Sequence, residues 1–363
     1  MHILAVDDDE SILKVLDHAL AFSGNEVSTA LSAKEAMAAI SRAEARFDCL
    51  LIDIQMPDVD GIQLTEVIRQ MPGYARPPIL MLTAMHDKVY LDRAFRAGAT
   101  DYLTKPFDFK NLQSRIFDAH SLACEKSRSI DLVSGPQNIT WNRGIAQDAH
   151  LAQAIAPVKI DGLIPYSEFD NYVLELARRP KYKAIALAVK MTAPTLQHTE
   201  TTLEEFSTML GDLVTSTSAA LSKCHGFFSY RGNGTLLCVT EQNSATLRQS
   251  IEHEINAHFA NISAHVDGAR VRVFLGDPTP IRSGSDAMVF ESLWFATDSV
   301  ERRFAATKQI IISRLILNQS LMSEEQHRLK QKTYKSIMRE MLFDIEGEYP
   351  HKNFSRKTRL QKG

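Results

Sequence analysis

Short apolar runs alternate with helix-like segments along the first 120 residues, and this alternation leaves few folds open to the chain. The predicted strands are Ile3–Val6, Val27–Ala30, Leu50–Ile52, Pro78–Thr83 and Tyr102–Leu103. The predicted helices are Ser11–Phe22, one that opens at the Ser32–Glu35 capping box, Gly61–Gln70, Lys88–Ala97 and one that starts near Phe109. Strands and helices that alternate over short connections form a parallel sheet with helices on both faces. We therefore predict an α/β fold with a doubly wound sheet of five parallel strands.

Polar side chains stand where four of these strands end. They are Asp7, Asp8 and Asp9 after the first strand, Asp53 after the third, Thr83 after the fourth and Lys105 after the fifth. The carboxyl ends of parallel strands open onto one crevice, so these side chains are expected to meet there. Taken alone, an aspartate such as Asp53 would more often only cap the loop that follows it.

The types of these residues suit phosphoryl transfer. Clustered carboxylates repel one another unless a hard cation lies between them, and Mg²⁺ binds one or two carboxylates together with water and phosphate oxygens. A lysine neutralises a bound phosphoryl group as a point charge, and a threonine hydroxyl can bond to one of its oxygens. Phosphoryl transfer requires mostly positioning and charge neutralisation. The set therefore predicts a carboxylate nucleophile served by a divalent ion and a lysine.

Residues 1–120 resemble the receiver domain of bacterial response regulators. The matching segments are Val6-Asp7-Asp8, Asp53 with Met56-Pro57 and Asp60-Gly61, Thr83-Ala84, Gly98-Ala99 and Tyr102-Leu103-Thr104-Lys105-Pro106-Phe107. The spacings, 30 residues from Asp53 to Thr83 and 22 from Thr83 to Lys105, are also those of the family. Agreement at several separated places in the same order is specific. The resemblance implies a flavodoxin-like receiver domain over residues 1–122.

The resemblance also implies a phosphoacceptor and a metal site. Asp53 would take a phosphoryl group from a phosphohistidine of a sensor histidine kinase or of a phosphotransfer protein. Asp8, Asp53 and the backbone carbonyl of Gln55 would hold Mg²⁺, and Asp7 would bind the ion through water. The acidic triplet leaves this register open by one residue. We prefer Asp7-Asp8 because they directly follow the apolar strand, and we assign Asp9 to the helix start, where the helix dipole favours a negative charge.

A switch follows from the same resemblance. The residues that would bind the phosphoryl group and act as the switch are Thr83, Ala84, Tyr102 and Lys105. The residues with a structural role would be Pro57, Gly61 and Pro106. The Thr83 hydroxyl would move toward the phosphoryl group, and the ring of Tyr102 would pack inward behind it. The alternatives are an ordinary threonine at a strand end and a half-buried core tyrosine. Lys105–Pro106 is a candidate cis peptide, because proline lowers the cost of that form.

A stretch without clear periodicity separates the two halves of the chain and contains the turn cluster Ser134-Gly135-Pro136-Gln137-Asn138. We assign 123–159 to a linker, 160–307 to a second domain and 308–363 to a helical, basic extension. The second domain is predicted to contain a helix at 166–178, a strand at 184–191, a helix at 203–224, a hairpin at 227–240, a helix at 247–259, a strand at 269–275 and a helix at 286–306. That order is typical of an α+β domain of ferredoxin-like or nucleotide-cyclase-like type.

The second domain resembles, in order and length, the diguanylate-cyclase (GGDEF) domain that often follows receivers. Its signature turn, however, reads Arg231-Gly232-Asn233-Gly234-Thr235, with neither acidic residue of the family motif. The strand at which the family places a metal-binding aspartate ends Val189-Lys190-Met191. Two-metal phosphoryl chemistry needs carboxylates to hold its ions. We therefore expect a degenerate, non-catalytic module, with a residual nucleotide site in the turn as the alternative.

Charge and composition restrict the remaining possibilities. The 363 residues carry a net charge of −3, whereas residues 302–363 hold 14 Lys or Arg and 6 Asp or Glu, a net charge of +8. Such a tail is more often solvated than bound to nucleic acid. The four cysteines lack CxxC spacing, and the densest apolar run, residues 310–317, is too short to span a bilayer. Since the N-terminus also lacks a signal-peptide pattern, we expect a cytoplasmic protein without a membrane partner.

These features predict a response regulator that signals through its second domain by protein contact or self-association, for example as a homodimer. Its cofactor would be Mg²⁺, and it would not be an enzyme. One alternative is an active or GTP-sensing cyclase, which nucleotide titration would reveal. The other is a DNA-binding regulator that uses the basic tail, whose binding would depend steeply on salt.

Overall fold

The computed structural model describes residues 1–85, 87–106, 108–133, 160–179, 181–191, 203–232, 234–241, 247–262 and 273–319. Most of the predicted linker, Asn233 of the predicted turn and the chain beyond Gln319 lie outside this set. None of the helices in the described ranges is both long and apolar enough to cross a lipid bilayer.

The first module, residues 1–133, is a parallel sheet flanked by helices. Its strands are β1 (His2–Val6), β2 (Glu26–Ala30), β3 (Cys49–Asp53), β4 (Ile79–Thr83) and β5 (Asp101–Thr104). Its helices are α1 (Glu10–Ala21), α2 (Ala33–Arg42), α3 (Gly61–Gln70), α4 (Lys88–Ala97) and α5 (Phe109–Val133). The strand order is β2-β1-β3-β4-β5, and every adjacent pair is parallel. The predicted five-stranded, doubly wound α/β fold is confirmed for this module.

Short polar side chains and a glycine set the ends of its helices. Asp9 lies just outside α1 and accepts a hydrogen bond from the backbone NH of Ser11 at 2.8 Å. Asp60 and Gln63 form a reciprocal capping box at the start of α3. Gly98 ends α4 with a φ of 102°, a conformation that favours glycine. Asp9 therefore serves the start of α1, next to the acidic residues that follow β1.

The second module, residues 160–304, is built on a separate antiparallel sheet. Its strands are β6 (Ile185–Met191), β7 (Phe227–Tyr230), β8 (Thr235–Thr240), β9 (Val273–Leu275) and β10 (Thr279–Pro280). Its helices are α6 (Tyr166–Ala177), α7 (Leu203–Leu221), α8 (Leu247–Ile262) and α9 (Asp286–Gln319), which extends beyond the module. Strand β6 is central: β8 pairs with it on one side, β9 and β10 pair with it on the other, and β7 forms a hairpin with β8. Strand β10 was not predicted, since two residues carry no alternating pattern.

Two helices cross the boundaries that the sequence suggested. Helix α5 runs to Val133, past the expected domain end at residue 122, and α9 runs to Gln319, past the expected end at residue 307. Hydrophobic periodicity marks the buried stripe of a helix and not the extent of its backbone hydrogen bonding, so a domain bound read from that pattern need not coincide with the end of a helix. Both modules, as far as Phe304, belong to one compact unit.

Helices cover both faces of each sheet. On the first sheet, α1 and α5 pack against one face, and α2, α3 and α4 against the other. In β6, successive side chains such as Leu187 and Ala188 belong to opposite apolar clusters, as the alternation of a strand requires. The cluster beneath α4 continues into the second module, where the rings of Phe95 and Tyr172 lie 5.4 Å apart. The two modules therefore share part of one core.

Candidate functional site

The carboxyl ends of four parallel strands meet at one edge of the first sheet. Asp7 follows β1, Asp53 ends β3, Thr83 ends β4 and Lys105 follows β5. Asp7 is 1% exposed and Asp53 is 3% exposed, so both carboxylates are withdrawn from bulk water. The ends of these strands therefore lie side by side at one edge of the sheet, and they carry the residue types that the sequence predicted there.

The ammonium group of Lys105 joins two of these carboxylates. Its Nζ lies 2.6 Å from Oδ2 of Asp7 and 2.7 Å from Oδ1 of Asp53. Hydrogen bonds between charged groups are strong in a site shielded from water. The Lys105–Pro106 peptide bond is cis, as the sequence suggested. Lys105 therefore ties together the ends of β1, β3 and β5.

Burial and charge shift the ionisation of this cluster. Burial raises the pKa of the Asp53 carboxyl, and the hydrogen bond and charge of Lys105 offset only part of that effect. Burial also acts against the charge on Lys105, but the hydrogen bonds and charges of Asp53 and Asp7 outweigh it and raise the pKa of the lysine. The folded state thus keeps Lys105 charged and makes the ionised form of Asp53 costly.

An Asp53→Asn variant is expected to be more stable than the wild type at neutral pH. Because the pKa of Asp53 is higher in the folded than in the unfolded chain, the free energy of unfolding falls as pH rises between those two values. Asparagine does not ionise, so its advantage should shrink as pH falls below the folded-state pKa. Urea unfolding midpoints of both proteins, from mildly acidic to neutral pH, measure the difference. A less stable variant, or an advantage that does not change with pH, would contradict this account.

The start of α3 passes very close to the backbone of Asp53. A Cβ added to Gly61 would lie 2.0 Å from the Asp53 carbonyl oxygen. The backbone NH of Gly61 donates to the Ile54 carbonyl at 3.0 Å, which holds the two segments together. In the loop between them, Pro57 is exposed and its carbonyl accepts a hydrogen bond from Val59 at 2.7 Å. Glycine at position 61 therefore permits the approach on which the placement of Asp53 depends.

Thr83 and Tyr102 share the backbone of Met85. The Thr83 hydroxyl accepts a hydrogen bond from the Met85 NH at 3.0 Å, and the Tyr102 hydroxyl donates to the Met85 carbonyl at 2.8 Å. Thr83 and Tyr102 are fully buried, whereas Ala84 is exposed. Burial raises the pKa of Tyr102 to about 12, so its hydroxyl remains a donor at neutral pH. The ring of Tyr102 consequently lies inward, next to the strand end that carries Thr83.

The predicted magnesium ligands are only partly brought together. Asp7 and Asp53 converge on Lys105, whereas Asp8 is exposed and the backbone NH of Gln55 bonds to the Asp53 carboxylate. Among the described residues, no group of three or more His, Cys, Asp or Glu side chains is arranged to bind a metal ion. Mg²⁺ needs only one or two protein carboxylates, because water completes its coordination. The buried oxygens of Asp7 and Asp53 therefore fit the chemistry of that ion.

The predicted cyclase turn, between β7 and β8, bonds to itself. The backbone NH of Arg231 donates to the Thr235 carbonyl, and the NH of Thr235 donates to the Gly232 carbonyl, both at 2.9 Å. Gly232 and Gly234 have φ values of 92° and 67°, which glycine adopts without strain. Asn233 lies outside the described residues. The described backbone thus makes an ordinary tight hairpin.

Basic side chains near this turn are engaged in ion pairs. The guanidinium of Arg231 pairs with Asp170 of α6. Lys190 in β6 is buried, pairs with Glu301 of α9 and lies 5.3 Å from the centre of the Phe304 ring. A buried ammonium ion at the end of β6 repels a metal cation instead of holding one.

Two residues of α6 and its C-terminal turn were not singled out from the sequence. The guanidinium carbon of Arg179 lies 5.2 Å from the centre of the Tyr102 ring. The carboxylate of Glu175 pairs with Arg115 of the first module at 3.1 Å. The one signal in the sequence was the pair of consecutive arginines at 178 and 179. Basic residues are common at the C-terminal end of a helix, where they interact favourably with the helix dipole, so this pair did not stand out. Contacts between residues so distant in the chain leave no local pattern.

The comparisons with known proteins concern the first module. Residues 3–117 match the family described as the response regulator receiver domain. Chemotaxis protein CheY4 of Vibrio cholerae, a solved structure, is 34% identical, with a match that covers 32% of this chain and 97% of that chain and a TM-score of 0.31.

Curated relatives are similar over the same part of the chain. Transcriptional regulatory protein PrrA of Mycobacterium leprae is 37% identical over 114 residues, which is 31% of this chain and 47% of that protein. Two-component response regulator ARR12 of Arabidopsis thaliana is 34% identical over 114 residues, which is 31% of this chain and 19% of that protein. The chain thus spans less than half the length of these relatives. Residues 3–117 form a response regulator receiver domain.

Proposed function

We propose that this chain is a response regulator that accepts a phosphoryl group on Asp53 from a phosphohistidine of a sensor histidine kinase or a phosphotransfer protein. The observation that carries the proposal is the contact of the Lys105 ammonium group with both Asp7 and Asp53 at the buried sheet edge. A carboxylate nucleophile and a fixed positive charge lie together there, which is what phosphoryl transfer requires of a protein. In this proposal the protein is located in the cytoplasm.

The proposed reaction moves one phosphoryl group between two side chains. A carboxylate oxygen of Asp53 forms a bond to phosphorus, and the bond between phosphorus and the donor histidine nitrogen breaks, with its electron pair left on that nitrogen. Lys105 offsets negative charge on the phosphoryl oxygens, and the Thr83 hydroxyl can turn from the Met85 NH toward one of them. Mg²⁺ held by Asp7, Asp8, Asp53 and the Gln55 carbonyl would supply further charge neutralisation.

A small phosphodonor tests this function without knowledge of the kinase. Incubation of the full chain with acetyl phosphate and Mg²⁺ is expected to add the mass of one phosphoryl group, as measured by intact-protein mass spectrometry. Chelation of Mg²⁺ with EDTA before the donor is added should reduce the adduct to background, because the carboxylates would then repel the incoming phosphate. An unmodified chain in the presence of Mg²⁺ would contradict the proposal.

The second module, in this proposal, is a degenerate GGDEF-like domain that signals by protein contact or self-association. Lys190 supports the absence of cyclase chemistry, because the end of β6 carries this buried ammonium group, paired with the partly exposed Glu301 of α9, where two-metal catalysis needs a carboxylate. We therefore expect no cyclic dinucleotide when the full chain is incubated with GTP and Mg²⁺, phosphorylated or not. Chromatography of the nucleotides measures this outcome, and any turnover above a no-protein control would show that the module is an active cyclase.

A further inference from the structure

Helix α6 and the turn after it cover the face of the receiver formed by α4, β5 and α5. Three hydrogen bonds of 2.9 Å cross this contact, from Tyr172 Oη to Asp92 Oδ1, from Asn171 Nδ2 to the Thr100 carbonyl and from Tyr182 Oη to Asp87 Oδ1. The ring of Tyr172 also packs on Phe95 of α4 and on Phe227 of β7, with ring centres 5.4 and 4.4 Å away. The contact therefore combines buried aromatic surface with paired polar groups.

A network of buried ion pairs lies beside these rings. Arg115 of α5 binds both carboxylate oxygens of Asp101 at 2.8 Å and the carboxylate of Glu175 in α6 at 3.1 Å. Asp101 and Glu175 are buried. Arg115 and Glu175 each find one partner across the contact, beside the partners that each has in its own module. Pairs of this kind fix how two surfaces meet more than they stabilise the contact, and the buried aromatic surface supplies the stabilisation.

Arg179 extends this network to the ring of Tyr102. Its guanidinium carbon lies 5.2 Å from the ring centre, within the range of a cation–π contact. The guanidinium group of Arg179 also donates to the backbone carbonyl of Glu175, and one of its nitrogens lies 3.5 Å from the Glu175 carboxylate. The side chain of Arg179 is 10% exposed, compared with 44% for the neighbouring Arg178, which pairs with Glu175 and Asp286. The two arginines are therefore chemically alike but differ in their contact with Tyr102.

The inward position of the Tyr102 ring is linked to the docking of α6 and its C-terminal turn on the receiver. The residue is fully buried, and its hydroxyl donates to the Met85 carbonyl at 2.8 Å. Arg179 lies on the ring, so a swing of the ring outward would require Arg179, and the end of α6 that carries it, to move away. The docked second module and the inward Tyr102 consequently belong to the same state of the protein.

We propose that Arg179 is a positioning residue that couples docking of the second module to phosphorylation of Asp53. This inference rests on the phosphoacceptor function proposed above, in which the Thr83 hydroxyl moves toward the phosphoryl group and Tyr102 packs inward behind it. Docking and phosphorylation then favour the same position of Tyr102. Such coupling is reciprocal: the docked module raises the affinity of the site for the phosphoryl group, and the phosphoryl group tightens docking.

The test compares Arg179→Ala with Arg178→Ala in the full chain. Each variant loses one positive charge and one ion pair with Glu175. Arg178→Ala also loses the pair with Asp286, whereas Arg179→Ala also loses the hydrogen bond to the Glu175 carbonyl and the contact with Tyr102. The probe is beryllofluoride with Mg²⁺, a mimic of the aspartyl phosphate, and calorimetry measures its affinity. Couplings between sites are typically about 5-fold or more, so Arg179→Ala should weaken binding at least about fivefold. Arg178→Ala removes ion pairs that are more exposed, so it should change the beryllofluoride affinity by less than about twofold. Equal effects of the two substitutions on the affinity would overturn the proposal.

Two further measurements distinguish coupling from structural damage. Beryllofluoride should slow hydrogen exchange of the α6 amides in the wild type and in Arg178→Ala, but not in Arg179→Ala. Faster exchange in the wild type would overturn the proposal, because phosphorylation would then release the module. In a Tyr102→Leu background, Arg179→Ala should have no further effect on affinity, and an additive effect would count against the coupling. A wild-type chain that binds no beryllofluoride would overturn the phosphoacceptor function itself.

Discussion

The Asp53→Asn variant is expected to fold normally and to take up no phosphoryl group from acetyl phosphate and Mg²⁺. The amide keeps the shape of the side chain but removes the carboxylate oxygen that would attack phosphorus. Loss of a nucleophile removes the covalent step itself, so the effect should be the largest of any single polar substitution in the crevice. Phosphate-affinity electrophoresis of the full chain over a time course measures the modified fraction.

Asp58→Asn is the matched control for that experiment. Asp58 is exposed in the loop after β3 and has a φ of 66°, a conformation that asparagine also tolerates. The substitution therefore makes the same chemical change five positions away without strain, and its phosphorylation rate should stay within about twofold of the wild type. Equal labelling of Asp53→Asn and Asp58→Asn would mean that another side chain accepts the phosphoryl group.

Gly61→Ala is expected to produce the largest loss of stability among conservative substitutions near the site. The added Cβ would lie 2.0 Å from the Asp53 carbonyl oxygen and 2.9 Å from a side-chain carbon of Ile52. Neither the backbone of α3 at position 61 nor that of β3 at Asp53 can move without disturbing the junction of the two elements. The free energy of unfolding should therefore fall by about 3 kcal/mol. Displacement of the Asp53 backbone should also slow phosphorylation.

Gly211→Ala provides the opposite expectation in the same chain. Gly211 lies within α7, and among the described residues no atom outside its own helix lies within 4 Å of an added Cβ. Alanine favours the helix over glycine, so this variant should gain about 0.5–1 kcal/mol. Urea unfolding followed by circular dichroism measures both substitutions. If Gly61→Ala were as stable as Gly211→Ala, the close approach of α3 to Asp53 would be wrong.

The receiver domain was largely accessible from the sequence because its determinants are local. The apolar run that ends at Asp53 is a strand, and Gly98 ends a helix, since each depends on residues within a few positions. The crevice then follows from the rule that parallel strands present their carboxyl ends at one edge. Lys105 could be placed beside Asp53 on that basis, although 52 residues separate them.

Contacts between the modules could not be read from the sequence. Arg179 and Tyr102 lie in different modules, and their approach depends on how two finished surfaces fit, which no periodicity encodes. The sequence pattern also could not decide which of the neighbouring acidic residues points into the site. In the structure Asp7 turns toward Lys105, and Asp8 faces solvent. Such details depend on the direction in which the chain leaves β1, and a change of one position reverses the outcome.

Chemical trapping of the acyl phosphate tests the central claim most directly. After treatment of the full chain with acetyl phosphate and Mg²⁺, borohydride reduces an aspartyl phosphate to homoserine, which peptide mass spectrometry locates. The account predicts homoserine at position 53 in the treated sample and none in a sample without donor. Homoserine at another aspartate, or an unchanged Asp53 in a folded and Mg²⁺-supplied chain, would contradict it.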